Sequence, residues 1–184
     1  RKELEADGYV LGEHNYAIAL LAFARQRALP LAQKWFDELW ARHTNPRSSK
    51  HVKITGHIIT AMVQAYTRAG ECQKGYEFWT RMRADLDVSN DLPTRIDNAL
   101  LSVLLDMSGR GLSIKETEEI WSMATKIDNV QINGNNGAAL VEAYMRHGEL
   151  DRAVDRMLRY RNNPKMHERG VMLGGLRTQC EREG

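Results

Sequence analysis

Apolar residues recur at helical spacing along almost the whole chain. Residues three and four positions apart share one face of an α-helix, so this periodicity predicts amphipathic helices. Ile58, Met62 and Tyr66 show it most clearly, at successive spacings of four. Only four prolines occur, and strong helix formers such as alanine, leucine, arginine and glutamate are plentiful. Both features favour helix over strand, and the sequence predicts an all-α fold.

The predicted helices come in pairs joined by short turns. Gly70 and Gly148 each follow one apolar stretch and precede another, which is the usual place of a glycine that ends a helix. Polar or glycine-rich stretches at 44–50, 86–93 and 133–137 separate the pairs. We treat the chain as a single helical-repeat domain and expect it to belong to a longer array. The predicted repeats are residues 13–52, 53–93, 94–132 and 133–164, followed by a terminal helix at 165–184.

The hairpins share one template when they are aligned on their turns. Ala65–Tyr66 is followed four residues on by Gly70, and Ala143–Tyr144 is followed four residues on by Gly148. The third hairpin fits this template only if its turn is lengthened by roughly four residues. Self-similarity of this kind is typical of a helical solenoid. One shared position in the second helices carries small residues, which let neighbouring helices approach closely: Ala32, Gly75, Thr117 and Ala153.

Composition and charge narrow the class of protein without fixing a function. The 184 residues are 42% hydrophobic and 27% charged, as in ordinary folded chains. The 26 basic residues barely exceed the 24 acidic ones, so charge alone does not indicate a nucleic-acid partner. No apolar run is long enough to predict a membrane span. Cys72 and Cys180 are too few for a disulfide framework or a zinc knuckle.

The chain carries no recognisable catalytic motif. His167–Glu168 does not match the His-x-Glu of zinc deaminases, and the Cys-x-x-Cys of those enzymes does not occur. The segment 109–111 is too short to be a phosphate-binding loop. We therefore expect a protein that is not an enzyme and that needs no cofactor or metal.

The second hairpin resembles a pentatricopeptide repeat. Residues 61–70 are followed by Phe78–Trp79 and Met82, which matches the family's order of Ala-Tyr, a basic residue, Gly, an aromatic pair and Met. Residues 140–150 resemble the same pattern. The resemblance covers residues 15–160 and implies a right-handed αα-hairpin solenoid of about four degenerate repeats. The tetratricopeptide repeat is the nearest competitor, but no hairpin shows its Trp–Leu–Gly–Tyr spacing.

The resemblance also implies which residues read RNA bases, because repeats of this family read one base each. It places the main reader at Ala17, Thr60, Asn98 and Ala138, and the second reader near Thr55, Pro93 and Asn133. Alanine cannot bond to a base edge, so the candidate base readers are Thr60, Asn98 and Asn133. Asn98 paired with Asn133 implies a pyrimidine. Asn98 is equally a candidate N-cap for the helix that follows it.

Other residues are candidates for stacking or phosphate contacts. The positions three residues before the implied readers hold His14, His57, Arg95 and Asn135. His57 and Arg95 are the stacking candidates, since histidine and arginine side chains stack on bases. Lys50, His51 and Lys53 form a basic patch before the second hairpin that is suited to phosphate, although a charge cluster in a loop is usually only solvated. The arginines of segment 152–161 are further phosphate candidates, although such a cluster is more often a solvated helix face.

By resemblance, the chain is a mitochondrial protein that binds single-stranded RNA, either mRNA or rRNA. Its implied role is RNA stabilisation, RNA processing or translation, with the mitochondrial ribosome as one expected partner. The alternative is a scaffold like those built from tetratricopeptide repeats, which binds a peptide or a partner helix on its concave face.

Overall fold

A computed structural model describes residues 11–45, 51–86 and 95–161. These residues are helical with no strand among them, which confirms the predicted all-α class. Lys50, Pro93 and the predicted terminal helix at 165–184 lie outside the described residues. A π-helical turn, Met123–Ile127, directly continues the helix that ends at Ser122. The helices are α1 (Glu13–Arg25), α2 (Leu29–His43), α3 (Gly56–Ala69), α4 (Cys72–Leu86), α5 (Asn98–Gly111), α6 (Ile114–Ser122), α7 (Gly134–Arg146) and α8 (Leu150–Arg161).

The chain divides into two compact units, each containing two helical hairpins. Unit 1 is Arg1–Arg95 and unit 2 is Ile96–Gly184. In unit 1, α1 packs against α2 and α3, and α3 packs against α4. In unit 2, α5 packs against α6 and α7, and α7 packs against α8. The first helices of the two hairpins therefore lie side by side in each unit.

The distance between the starts of the two helices is the same in every hairpin. The second helix begins sixteen residues after the first, from Glu13 to Leu29, Gly56 to Cys72, Asn98 to Ile114 and Gly134 to Leu150. The prediction of a longer turn in the third hairpin is therefore wrong. The expected insertion comes from matching Asn98 to Thr60. Asn98 is the first residue of α5 and Thr60 is the fifth residue of α3, so this match displaces the third hairpin by four residues.

The turns between paired helices differ in backbone conformation. Gly70 and Gly148 have φ values of +81° and +75°, a left-handed conformation that glycine adopts without steric cost. Arg27 adopts the same left-handed conformation at the matching position of the first hairpin, with φ +55°. Leu112 holds the matching position in the third hairpin but is extended, with φ −114°. Ser113 then opens α6 with a capping box, so the start of α6 is fixed by its cap and not by a preceding glycine.

The core of each unit is apolar and closely packed. In unit 1, Phe36 and Phe78 meet edge to face with ring centroids 5.0 Å apart, and Trp79 is fully buried. In unit 2, a Cβ built on Gly109 would lie 2.8 Å from the Cα of Ala143, so α5 and α7 approach backbone to backbone. The four small residues noted in the second helices are all buried, as expected: Ala32, Gly75, Thr117 and Ala153.

One contact between successive hairpins recurs in both units. The fifth residue of α2, Gln33, donates through Nε2 to the Tyr66 hydroxyl on α3 at 3.3 Å. The fifth residue of α6, Glu118, accepts from the Tyr144 hydroxyl on α7 at 2.7 Å. Tyr66 and Tyr144 are both the eleventh residues of their helices. The hairpins of each unit are therefore stacked in the same register.

Candidate functional site

An open groove of about 300 Å³ lies between the first parts of α1 and α3 in unit 1. We call it the α1–α3 groove. Residues 14, 17, 18 and 21 face it from α1 because spacings of three and four return to the same side of a helix. His57 and Thr60 face it from α3 for the same reason. The lining residues are Glu13, His14, Ala17, Ile18, Leu21, Thr55, His57 and Thr60.

The groove brings together the positions that the resemblance implied for the first two hairpins. The two implied main readers line it, and so do the implied second reader and both histidines three residues upstream of the main readers. These residues are His14, Ala17, Thr55, His57 and Thr60. Glu13, Ile18 and Leu21 also line the groove but were not predicted as site residues. Helical spacing from His14 and Ala17 places Ile18 and Leu21 on the same face of α1.

The lining of the groove suits a flat, uncharged group better than a phosphate. Ile18 is 53% exposed and offers an apolar contact. The Thr60 hydroxyl donates to the Gly56 carbonyl at 2.8 Å, and its oxygen retains lone pairs that can accept a hydrogen bond from a ligand. Among the described residues that line the groove, Glu13 is the one carboxylate and none is a lysine or an arginine. A phosphate would therefore meet the negative charge of Glu13 there.

The structure changes the register of the predicted site in the third hairpin. Ala17, Thr60 and Ala138 are the fifth residues of their helices, whereas Asn98 is the first residue of α5. The residue of α5 that matches the other three is Ser102, which the sequence analysis missed. Arg95 precedes α5 by three residues and is exposed, so it does not match His14 or His57 either. The sequence did contain a signal for the correct register of α5. Ser113 marks the start of α6 at Ile114, and counting back sixteen residues gives Asn98 as the first residue of α5 and Ser102 as the fifth.

Asn98 is not the N-cap of α5. Asp97 holds that position, and its carboxylate accepts a hydrogen bond from the Leu100 amide at 2.7 Å. The interpretation of Asn98 as a cap is therefore wrong. Asn98 is exposed, and its carbonyl oxygen accepts from the Asn136 side chain at 2.9 Å.

Asn133 has a structural task as the N-cap of α7. Its side-chain oxygen accepts from the Asn136 amide at 3.0 Å, and the Asn136 side-chain oxygen accepts from the Asn133 amide at 3.3 Å. Asn136 is fully buried, and its Nδ2 donates to the Asn98 carbonyl and the Ser102 hydroxyl, both at 2.9 Å. We call Asn98, Ser102, Asn133 and Asn136 the asparagine cluster. It joins the start of α5 to the start of α7.

His51 and Lys53, the described residues of the predicted basic patch, lie near His43. Lys53 is exposed in the segment between α2 and α3. The His51 ring stacks on the His43 ring with centroids 5.9 Å apart, and His51 Nδ1 lies 3.2 Å from the Arg42 carbonyl oxygen. The pKa of His43 is lowered by burial; a backbone hydrogen bond with Val52 raises it in part, and the nearby His51 and Lys53 charges lower it further. Lys53 and His51 are not among the residues that line the α1–α3 groove.

The described arginines of α8 are engaged with the protein itself. Arg152 pairs with Glu118 at 3.2 Å and with Glu149 at 3.3 Å. Arg159 pairs with Asp155 at 2.9 Å, and the Arg156 guanidinium lies 5.9 Å from the centre of the Trp121 ring. These contacts favour a solvated helix face over a phosphate-binding surface.

No family model matches the chain, and no curated protein is significantly similar to it. Within residues 11–45, 51–86 and 95–161, no helix has the length and apolar character needed to span a membrane. The geometry of the chain itself is therefore the basis for a functional proposal.

Proposed function

We propose that this chain is a pentatricopeptide-like repeat protein that binds single-stranded RNA, with an unstacked base in the α1–α3 groove. The observation that carries the proposal is the convergence of His14, Ala17, Thr55, His57 and Thr60 on one groove. The resemblance implied these positions from the sequence alone, and the same five residues line one groove.

The arrangement of the helices supports a repeat protein of this class. All four hairpins keep the same spacing between helix starts, and the first helices lie side by side within each unit. Repeat proteins stack equivalent helices in this way and use the surface formed by one helix of each repeat for binding. The proposed architecture is a right-handed solenoid of four degenerate repeats, and the proposed setting is the mitochondrion. There the protein acts in RNA stabilisation, processing or translation, alone or on the ribosome.

The chemistry of the groove supports a base as the occupant. The two imidazole rings, His14 and His57, offer flat surfaces for stacking, and Ile18 adds an apolar contact. Base stacking on such side chains contributes about 1–3 kcal/mol per base and tolerates different bases. The Thr60 hydroxyl oxygen accepts from an exocyclic amine. Phosphates would lie outside the groove, near exposed cations such as Lys53.

The test is fluorescence anisotropy with short labelled single-stranded RNA, at low and at moderate salt. The double variant His14→Ala, His57→Ala is expected to bind about tenfold more weakly or worse, since losing one stacked base costs about 1–3 kcal/mol. Asn15→Ala is the matched control because Asn15 is exposed beside His14 but does not line the groove. Absence of binding by the wild type at low salt overturns the proposal, and so does equal binding by the double variant and the control.

A protein-interaction scaffold is a second candidate, and the exposed Ile18 favours it. An isoleucine that is 53% exposed at a groove whose one carboxylate is Glu13 also suits an apolar side chain of a peptide. The two candidates differ in their response to salt. RNA binding weakens as salt rises because phosphate contacts release counterions, whereas binding of an apolar side chain does not weaken.

A further inference from the structure

An arginine occupies the same position in the first helix of every hairpin. Counted from the helix start, it is the thirteenth residue in each case: Arg25 in α1, Arg68 in α3, Arg110 in α5 and Arg146 in α7. In unit 1 these arginines follow His14 and His57 by eleven residues each, which is about three helical turns. They therefore lie on the sides of α1 and α3 that carry the two histidines of the α1–α3 groove.

In unit 2 the matching arginines are paired with carboxylates of the protein itself. Asp106 and Glu142 are the ninth residues of α5 and α7. Asp106 Oδ1 accepts from Arg110 Nε and from Arg146 Nη1, both at 2.8 Å. Glu142 Oε1 accepts from Arg146 Nη2. We call Asp106, Arg110, Glu142 and Arg146 the α5–α7 ion-pair network.

Close packing of α5 against α7 explains why one carboxylate reaches both arginines. The Arg146 Cδ lies 3.4 Å from the place that a Cβ on Gly109 would take, so the arginine side chain lies over this glycine. The side chains of the network remain open to solvent, from 29% exposed in Arg146 to 52% in Glu142. A ligand in solution can therefore reach the network.

Unit 1 has uncharged residues where unit 2 has the two carboxylates. The ninth residues of α1 and α3 are Leu21 and Gln64. Arginine binds carboxylate and phosphate in the same bidentate way. A carboxylate four residues from an arginine on one helix competes as an intramolecular partner, and its charge repels an approaching phosphate. The carboxylates of unit 2 thus take the place that a phosphate takes on an open arginine.

We propose that Asp106 and Glu142 keep Arg110 and Arg146 from binding an RNA backbone, and so restrict backbone contacts in unit 2. This inference rests on the proposed RNA binding for its role in the protein. Its physical basis, the competition between carboxylate and phosphate for the guanidinium groups, applies to any phosphodiester chain. Asp106 and Glu142 act here as specificity determinants and do not touch the RNA themselves.

The test is fluorescence anisotropy of the full chain with two labelled probes of equal length, a single-stranded RNA and an abasic oligonucleotide. The double variant Asp106→Asn, Glu142→Gln is expected to bind both probes about tenfold more tightly at low salt. Its affinity is also expected to fall more steeply with salt, by about 0.7 in the log–log slope for each arginine that gains a phosphate.

The double variant Glu149→Gln, Asp155→Asn is the matched control. It changes the net charge by the same amount and also removes carboxylates that pair with arginines, Arg152 and Arg159 of α8. Because these arginines lie on a second helix, the control is expected to gain much less affinity for either probe.

The proposal is overturned if the Asp106 and Glu142 variant gains no affinity for either probe, or if the control gains as much. A gain that persists after Arg110→Gln and Arg146→Gln are added to the variant also overturns it. Asp106→Asn alone frees both arginines from their shared partner and repeats the comparison if the double variant does not fold. Failure of the proposed base binding is visible separately, because the wild type then binds RNA no better than the abasic probe.

Discussion

The two units build the same pair of hairpins but use the start of their first helices differently. In unit 1, the starts of α1 and α3 border an open groove lined by histidine, threonine and aliphatic side chains. In unit 2, the starts of α5 and α7 are joined by the asparagine cluster. The third residue of the later helix marks the contrast, being a buried isoleucine in α3 (Ile58) and a buried asparagine in α7 (Asn136).

This difference separates a hydroxyl that faces a groove from one that bonds to a neighbouring helix at matching positions. Thr60 in unit 1 bonds within its own helix and faces the groove. Ser102, its counterpart in unit 2, accepts a hydrogen bond from Asn136 across the helix pair. A buried asparagine must satisfy its polar atoms with hydrogen bonds. In unit 2, Asn136 does so with Asn98 and Ser102, and these hydrogen bonds link α7 to α5. We therefore expect a ligand to depend on unit 1 more than on unit 2.

The largest effect is expected where unit 2 packs most closely. Gly109→Val would bring a side chain against the Ala143 backbone, because even a Cβ would lie 2.8 Å from Cα and 3.2 Å from Cβ. The helices must separate, and overpacking of this kind lowers the free energy of unfolding by about 1–3 kcal/mol or more. Urea denaturation followed by circular dichroism measures the loss.

Gly12→Ser is the matched control for that substitution, because Gly12 is the N-cap of α1 and serine is favoured at that position. A Cβ at Gly12 meets nothing within 4 Å, and its φ of −83° suits any residue. Its free energy of unfolding is expected to stay close to that of the wild type. A Gly109 variant as stable as the control would show that α5 and α7 do not approach as closely as described.

A smaller loss is expected from breaking the asparagine cluster. Asn136→Leu puts an apolar side chain where unit 1 has Ile58, but the partners of Asn136 remain. The Asn133 amide loses its acceptor, and the Asn98 carbonyl and Ser102 hydroxyl lose a donor. The Ser102 hydroxyl still donates to the Asn98 carbonyl at 3.1 Å, so the loss is that of three hydrogen bonds, each of which contributes about 0.5–1.5 kcal/mol. Asn15→Ala, at the matching but exposed third position of α1, is expected to cost far less in the same urea titration.

A second substitution tests whether the residues of the asparagine cluster are coupled. Ser102→Ala combined with Asn136→Leu removes both partners of the hydrogen bond between Asn136 Nδ2 and the Ser102 hydroxyl. The double variant is expected to lose less than the sum of the two single losses, since residues in one hydrogen-bond network are coupled. Additive losses would contradict the cluster as a connected network.

The hairpins themselves followed from local signals in the sequence. The apolar periodicity and the two left-handed glycines, Gly70 and Gly148, fixed the second and fourth hairpins because a glycine there ends a helix by itself. The third hairpin was misaligned because Leu112 replaces the glycine. Asp97 and Asn98 are also adjacent residues of the kind that cap helices, so the first residue of α5 was ambiguous.

The groove was partly predictable, and the asparagine cluster was not. His14, Ala17, His57 and Thr60 were named from the resemblance, and helical spacing adds Ile18 and Leu21 to them. Asn136 depends on partners 38 and 34 residues earlier in the chain, Asn98 and Ser102. Sequence periodicity treats a buried asparagine as a solvent-facing position, because the burial is set by a neighbouring helix and not by local pattern.

The smallest effect is expected from pH, and it compares one histidine in each unit. Burial lowers the pKa of His43 in unit 1 and of His147 in unit 2. A histidine whose pKa is lowered by folding takes up its proton more readily in the unfolded chain. Above the usual histidine pKa of about 6.5 the effect is absent. As pH falls below that value, the free energy of unfolding decreases until the folded pKa is passed.

His43 is expected to contribute more of this decrease than His147. Burial lowers the pKa of His43, a backbone hydrogen bond with Val52 opposes this, and the positive charges of His51 and Lys53 lower the pKa further. His147 bonds to the Thr117 hydroxyl at 3.0 Å, and the charges of Glu149 and Glu116 favour its protonated form. Both rings are partly exposed, so the effect is smaller than that of either core substitution.

The measurement is urea denaturation at pH 7 and at pH 5 for the wild type, His43→Gln and His147→Gln. Glutamine removes the titration and keeps a polar side chain of similar reach. His43→Gln is expected to flatten the fall in free energy of unfolding between the two pH values, and His147→Gln is expected to flatten it less. If the two variants flatten it equally, the positive charges of His51 and Lys53 near His43 and the negative charges of Glu149 and Glu116 near His147 do not distinguish the two histidines.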